Sequence, residues 1–536
     1  MGVLGLTPFL KTTCPTVLKQ IPERLRALSG KTVVIDGTLI TQRFHYAPLP
    51  HQYRHVLGWY RLAQELRDNG VNALCVFDGK ERNLAKAREV ARRKEVQRVT
   101  IARGGVEKER LGRLQQLAAL LSAFESFTQP QRERIAQIIS SNIHDLPGEG
   151  QIPVVGYHPQ DFPSDDVQEA EAETETDFDL DFGICPDLFG GPTESPLSWT
   201  SADDSVQLDI PNISDYNLPS PSETFESSSS DFDSFAKALS MLYSQYRMGT
   251  STLATLSPGM PNTPWSSEIL MSKSQHRLTQ SEGQLWKQLL MLPGSKDSDE
   301  LSELTKQSEI LSLSYDRRID SPTPQTYAEC KSIISAMGIP SVDTTGPFEA
   351  EALASSLVLN GYADYVVSED TDVLVYEAPL LRNVTNRTGP LLAISGAEVR
   401  KVLKLSRASY VDFAILLGTD FSERIKNVGP ARALKFIREY KTIERVIKHE
   451  TKYPPRVAKD VYMQQVAMAR KVFKTLPPIP ENMKDLQTGE PDRELVREML
   501  QMYGLGRSVE VDDWDYQAAL AGNYFNDSPS ASSVYV

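Results

Sequence analysis

Cysteine is scarce in this chain: four in 536 residues, at Cys14, Cys75, Cys185 and Cys330, with no Cys-x-x-Cys among them. That spacing excludes a disulfide framework and a thiolate zinc site, and it fits a reducing, intracellular compartment. No apolar run approaches the ~18 residues of a membrane span, and the start of the chain shows no signal-peptide apolar core, so no membrane role is expected. The opening MGVLGLT carries Leu6 where a myristoylation signal needs Ser or Thr. No loop has the ligand spacing of an EF-hand, which argues against calcium storage.

Positive charge is missing from one long stretch. Between Asp145 and Ser234 stand 22 acidic residues and no Lys or Arg, so the formal charge of −14 belongs to this tract and the rest of the chain carries +8. An acidic average argues against a polyanionic partner. The distribution reverses that reading, because the remainder is basic, as a nucleic-acid-binding body is. The tract's Asp, Glu, Ser and Pro content predicts disorder. Within it, residues 177–190 alternate acids with Phe178, Phe182, Leu188 and Phe189, a pattern that suits docking on a protein partner; plain linker is the alternative.

The compact parts lie on either side. Residues 31–36 (KTVVID) and 71–78 (VNALCVFD) read as buried strands around a helix at 55–69, the parallel pair of a doubly wound α/β sheet. A charged helix follows over 80–113, with Lys80, Lys86, Arg88, Arg92, Arg93, Lys94 and Arg98. Its positive excess beside Asp78 suits phosphate contact, against a solvated face with i,i+4 pairs. Further helices are expected at 111–124 and 129–141, then at 235–246, 282–292 and 299–312 in a region read as partly ordered and without chemistry. Compact sequence resumes with a helix at 327–337 and a strand at 338–342. A strand at 380–384, an NRTG turn and helices at 396–403, 410–417 and 492–503 complete the ordered part.

Residues 346–372, GPFEAEALASSLVLNGYADYVVSEDTD, carry the strongest chemical signal. Glu349 and Glu351 stand at a helix start, and Asp370 and Asp372 stand where an apolar strand runs out. Like charges this close repel, so a counter-ion is implied; solvated loop acids are the bland alternative. Asp36 and Asp78 end the other two apolar runs, and an open parallel sheet binds its ligands outside the carboxyl ends of its strands. Asp420, in LLGTDF, adds a seventh acid. Hard oxygen donors with no His or Cys nearby select Mg²⁺ or Mn²⁺, and seven acids suffice for two ions, the arrangement of phosphodiester hydrolysis. Residues 425–440 (IKNVGPARALKFIREY) then place a Gly429–Pro430 turn before a helix bearing Arg432, Lys435 and Arg438, a phosphate site built on a helix N-terminus.

The start MGVLGLTPFL, the VFDGK strand end, the GPFEAEA block, the SEDTD pair and LLGTDF with VGPARAL together resemble the XPG/flap endonuclease family of structure-specific 5′ nucleases. The resemblance covers residues 1–103 and 326–505. It implies a PIN-like fold of the 5′-3′ exonuclease type, a mostly parallel twisted sheet flanked by helices, with a C-terminal helix-two-turn-helix element and a long insertion. The implied division is an N-region at 1–103, a helical arch at 104–144, the acidic spacer at 145–234, a partly helical spacer at 235–318, the I-region at 319–400, a helical region at 401–505 and a tail at 506–536.

By the same resemblance, Asp36, Asp78, Glu349, Glu351, Asp370, Asp372 and Asp420 hold two Mg²⁺ ions, with Mn²⁺ as a substitute. Lys80 and Arg92 touch the scissile phosphate. Gly2, Lys86, Arg88, Arg93, Val428, Gly429, Arg432 and Lys435 contact DNA, and the VGP turn holds K⁺. The implied activity is cleavage of flap, branched or nicked DNA in repair or replication, in the nucleus or alternatively the mitochondrion. A nuclease-like scaffold that binds RNA or protein without cutting is the alternative. Gln42 stands where the family has a nucleotide-stacking aromatic, with Phe44 and Tyr46 close by. Gln517, Leu520, Tyr524 and Phe525 resemble a sliding-clamp box whose aromatics come one residue late, which argues against clamp binding.

Overall fold

The structure, a computed structural model, describes residues 2–124, 229–256, 273–291 and 298–506 apart from short breaks, with only isolated positions between 125 and 228. The acidic tract over 145–228, its segment 177–190, most of the helix expected at 129–141 and the clamp-like residues near the C-terminus lie outside the described residues.

Helix α1 (Leu6–Thr13) and strand β1 (Leu18–Ile21) open the chain. Strand β2 (Thr32–Asp36), helices α2 (Gly37–His45) and α3 (Arg54–Asp68), and strand β3 (Asn72–Phe77) follow. β2 and β3 pair in parallel, with Asp36 level with Val76. Alternate residues enter opposite cores: Val34, Leu74 and Val76 face one side, and Val33, Ile35, Ala73, Cys75 and Phe77 the other. This is the twofold period of strands buried on both faces.

From Ala87 to Phe124 the chain is one helix, α4. The sequence pattern predicts two helices here, over 80–113 and 111–124, and the structure runs them together as one helix that also passes through Gly104 and Gly105. Packing explains the continuity: a Cβ on Gly104 would lie 2.7 Å from Ile319 Cδ1, so a neighbouring helix seals the weakest point of α4. That neighbour is α7 (Ser298–Ile319), which with α5 (Ser229–Leu256) and α6 (Lys273–Met291) packs beside α4. The region expected to be only partly ordered thus forms a bundle with its own core around Leu117, Tyr246, Leu285 and Trp286. Buried among these helices, Arg110 pairs with Glu107 and Glu282, and Arg113 also pairs with Glu282.

The chain then returns to the sheet through α8 (Pro324–Ala336), β4 (Ser341–Asp343), α9 (Ala350–Leu359), β5 (Tyr365–Val367), α10 (Asp372–Val375), β6 (Pro379–Arg382) and β7 (Leu391–Ser395). The strand order is β1-β7-β6-β5-β2-β3-β4. β4, β3, β2, β5 and β6 are parallel, while β7 pairs antiparallel with β6 and with β1. The sheet is therefore mostly parallel and flanked by helices, as an α/β reading requires. Helices α11 (Gly396–Val402), α12 (Arg407–Leu417), α13 (Pro430–Tyr440), α14 (Ile443–His449), α15 (Lys459–Lys474) and α16 (Arg493–Met502) complete the described chain. No described helix is long and apolar enough to cross a membrane.

Candidate active site

Strands β5, β2 and β3 are neighbours in that order, and the three run in one direction. Their carboxyl ends deliver Asp370, Asp36 and Asp78 to one edge of the sheet, the edge where open α/β sheets bind ligands. Asp36 is the last residue of β2 and also caps α2: its side chain accepts from Leu39 N at 3.0 Å and from Ser368 Oγ at 3.0 Å. Asp78 Oδ1 accepts from Ala350 N at 2.8 Å, which ties the start of α9 to the end of β3. Glu349 is the N-cap residue of α9, yet its side chain makes no cap bond and is free to face the acids. Glu351 sits in the first turn of the same helix. Asp372 opens α10, and its N–H donates to Asp370 Oδ1 at 2.8 Å. Asp420 comes from the turn after α12, closed by the Thr419–Ser422 bridge.

Mutual repulsion links all seven acids. Burial pushes Asp36 up to about 7, helped by the negative charge of Asp78 and then Asp370. Burial, with Asp420 adding, lifts Asp370 to about 6. Burial holds Glu351 and Asp372 well above the usual carboxylate range, Glu349 adding to the first and Asp370 and Asp420 to the second. Glu351, Asp370 and Asp372 each present a carboxylate oxygen within 4.8 Å of the other two. Asp372 is 1% exposed and its Oδ1 has no hydrogen-bond partner, and Glu349 Oε2 is likewise buried without one. Buried acceptors without donors are rare and costly. An oxygen-only set with such orphans fits a divalent cation.

The protein also brings cations of its own. Lys86 Nζ lies 2.6 Å from Glu349 Oε1 and 3.1 Å from Asp420 Oδ2, and Arg93 reaches the same Asp420 oxygen at 2.9 Å. Burial alone would raise Asp420, but Lys86 and Arg93 outweigh it and hold this carboxyl well below its ordinary range. Lys86 in turn stays protonated: burial works against its charge, and Glu349 and Asp420 override it. Of the residues expected at the scissile phosphate, Arg92 bonds to Glu89 at 2.6 and 2.7 Å and Lys80 is exposed at the surface. The cations against the acids are therefore Lys86 and Arg93, seven residues apart. That spacing is two helical turns, and it puts both on one face of the approach to α4.

Gly2 fits the same corner. It has φ +87°, and a Cβ there would lie 2.2 Å from Asp370 Oδ1 and 2.7 Å from Asp372 N. The next residue anchors it, Val3 N donating to Thr371 Oγ1 at 2.8 Å. Ser368 and Thr371 interleave the acids of SEDTD and orient them; the hydroxyls were visible in that motif, but their direction was not. Glu369, between the two, turns away to Arg382 at 2.9 Å and Asn383 N at 2.8 Å.

The α2 position expected to meet a nucleotide does not reach one. Gln42 is buried and donates to Tyr327 Oη at 3.2 Å, while Phe44 and Tyr46 are buried as well. No aromatic of α2 is available for stacking. Arg88 pairs with Glu423 at 2.7 Å, beside Gln465. At the Ile425–Tyr440 turn, Asn427 takes the left-handed φ of 61° that asparagine tolerates. Gly429 caps α13 without a side-chain bond, Val428 is buried, and Arg432 and Lys435 are exposed.

Comparison with known proteins matches two separated parts of the chain. The XPG N-terminal domain matches residues 1–99 and the XPG I-region matches residues 338–420. Flap endonuclease 1 of Komagataella phaffii is 36% identical over 195 residues, covering 35% of this chain and 52% of that protein. Flap endonuclease 1-B of Xenopus laevis is 32% identical over 210 residues, 38% of this chain and 51% of its own. The chain thus spans about half the length of the curated relatives it matches. Among solved structures, flap endonuclease-1 from Methanococcus jannaschii is similar with a TM-score of 0.39 and 16% identity, over 95% of this chain and 96% of that one. The catalytic core of Rad2 in complex with DNA substrate has a TM-score of 0.39 and 12% identity, over 96% and 98%.

Proposed function

Because the chain belongs to the XPG/flap endonuclease family, we propose that it is a nuclease that hydrolyses phosphodiester bonds in flap, branched or nicked DNA. The observation that carries this reading is the convergence of seven carboxylates at one sheet edge, with orphaned oxygens on Asp372 and Glu349. Glu349, Glu351 and Asp370 would hold one Mg²⁺, Asp372 and Asp420 the other, with Asp36 and Asp78 completing the set. Such a pair supplies an activated water and stabilises the leaving oxygen.

The chain's own groups do the rest. Lys86 and Arg93, rather than Lys80 and Arg92, are the cations placed to meet the scissile phosphate. Gly2 lets the start of the chain lie against Asp370 and Asp372 without a side chain in the way. The first turn of α13, with Arg432 and Lys435 beside its free N–H groups, suits the backbone of the duplex, and the carbonyls of the VGP turn suit K⁺. The nucleus is the compartment that fits DNA repair or replication. The 177–190 segment is a docking element for a protein partner. The test is an end-labelled 5′-flap duplex incubated with purified protein and Mg²⁺: cleavage near the junction is expected, and loss of at least ~100-fold in rate on Asp370→Ala. A wild type that does not cut, or an Asp370→Ala variant that cuts equally well, sinks the proposal.

A further inference from the structure

The seven acids do not form one uniform pocket. On one side, Glu351, Asp370 and Asp372 gather within 4.8 Å, and no described lysine or arginine pairs with any of them. Asp420, by contrast, is already neutralised, while Glu349 has one oxygen taken and keeps its Oε2 without a partner. Lys86 Nζ sits between them at 2.6 and 3.1 Å, and Arg93 shares the Asp420 oxygen at 2.9 Å. The two cations are themselves held in place. Lys86 lies over the Phe421 ring at 5.4 Å from its centroid, and Arg93 is braced by Glu89 at 2.7 Å.

Resting on the nuclease reading above, we infer that Lys86 and Arg93 are an internal counter-charge that blocks the Asp420 side, which Asp372 completes, to a divalent ion until a nucleic-acid phosphate draws them off. An ammonium, a guanidinium and a divalent ion compete for one carboxylate oxygen, because two cations already bonded to it lower its negative charge and occupy its lone pairs. A phosphate offers both cations another anion at charge-assisted hydrogen-bond distance. The oxygen freed on Asp420 then becomes available in the same event. The site therefore loads in two stages: the Glu349–Glu351–Asp370 side is ready in the free protein, and the Asp372–Asp420 side opens with substrate. Binding of DNA and of the second ion is reciprocal, because each strengthens the other by the same factor.

Mn²⁺ binding to the full chain, followed by calorimetry and by the free-ion electron paramagnetic resonance signal, tests this without relying on turnover. The probe for substrate is a flap duplex protected by phosphorothioates at the junction. Without DNA, wild type is expected to bind one Mn²⁺ at least about 10-fold more tightly than a second, and DNA should bring the two within about threefold. The double variant Lys86→Met/Arg93→Leu should bind two ions with similar affinity in the absence of DNA. Asp420→Asn should keep the first ion and lose the DNA-induced second. Two equivalent ions in free wild type, or a DNA-independent gap between the two sites, overturns the inference whatever the variants do. If free wild type binds two equal ions and still cuts the flap duplex, this inference falls and the nuclease reading stands. If the two-stage binding appears and no cleavage follows, the nuclease reading falls instead.

Discussion

Asp372 shows what the site demands of a single residue. It is almost fully buried, repelled by Asp370 and Asp420, and left with an oxygen that no described residue satisfies. Folding alone has no reason to keep such a group, because an uncompensated buried carboxylate destabilises the native state. Asp372→Asn should therefore stabilise the metal-free protein, by on the order of 1 kcal/mol, while weakening divalent-ion binding about 10-fold or more. Thermal unfolding in EDTA and in Mg²⁺ checks both signs together: the variant should melt higher than wild type without metal and gain less from its addition. A lower melting point in EDTA would mean that the carboxylate is a structural group.

At the scale of elements, the approach to α4 decides which basic residues matter. Eight of them crowd residues 80–98, and composition cannot rank them. Helical phase can: Lys86 and Arg93 share a face and meet Asp420, while Arg92 is rotated by one residue and bonds to Glu89. Arg93→Ala should lower flap-cleavage rate by ~100-fold or more, whereas Arg92→Ala should change it by less than ~5-fold. Single-turnover rates measured with both variants separate the two outcomes, and comparable losses would refute the facial assignment. Lys80 and Arg92 were matched by their place along the sequence; Lys80 lies ahead of the helix, and on the helix side-chain direction follows the turn.

Among the described residues, the helical bundle meets the sheet domain at a polar seam. The helical bundle ends at Ile319, and the next residue, Asp320, lies against α2 and α3 of the sheet domain. His45 Nε2 lies 2.8 Å from the Asp320 carbonyl and 3.5 Å from its carboxylate, with Arg54 and His55 alongside and Glu329 bonded to His55 at 2.8 Å. Burial, aided by the charge of Arg54, pushes His45 down to about 4 despite the acceptor at Asp320. The unfolded chain takes up this proton near pH 6.5 and the folded chain does not, so stability from this group is complete above 6.5 and is lost as pH falls toward 4. That loss is on the order of 3 kcal/mol at its full extent. His45→Gln, which retains a donor but cannot titrate, should flatten the difference in denaturant midpoint between pH 7 and pH 4.5. An unchanged pH slope would show that the seam does not titrate.

The same scales separate what was legible in the sequence from what was not. Strand-ending aspartates at 36, 78 and 370, the Glu349/Glu351 pair and the Asp420 turn could be read directly. A buried parallel strand is a local apolar run, and whatever follows it must emerge at the sheet edge. The α/β class and the resemblance to the XPG/flap endonuclease family followed from those motifs for the same reason. Tertiary packing alone decided that Gln42, Phe44 and Tyr46 point inward, that Lys86 and Arg93 neutralise Asp420, and that helices α5, α6 and α7 pack beside α4 as a bundle. Each of these depends on partners hundreds of residues away, such as Tyr327 for Gln42, Glu349 and Asp420 for Lys86, and Ile319 for Gly104. The acids were determined by sequence because strand ends are local features. Their counter-charges were decided by the fold because facing is a property of assembled helices.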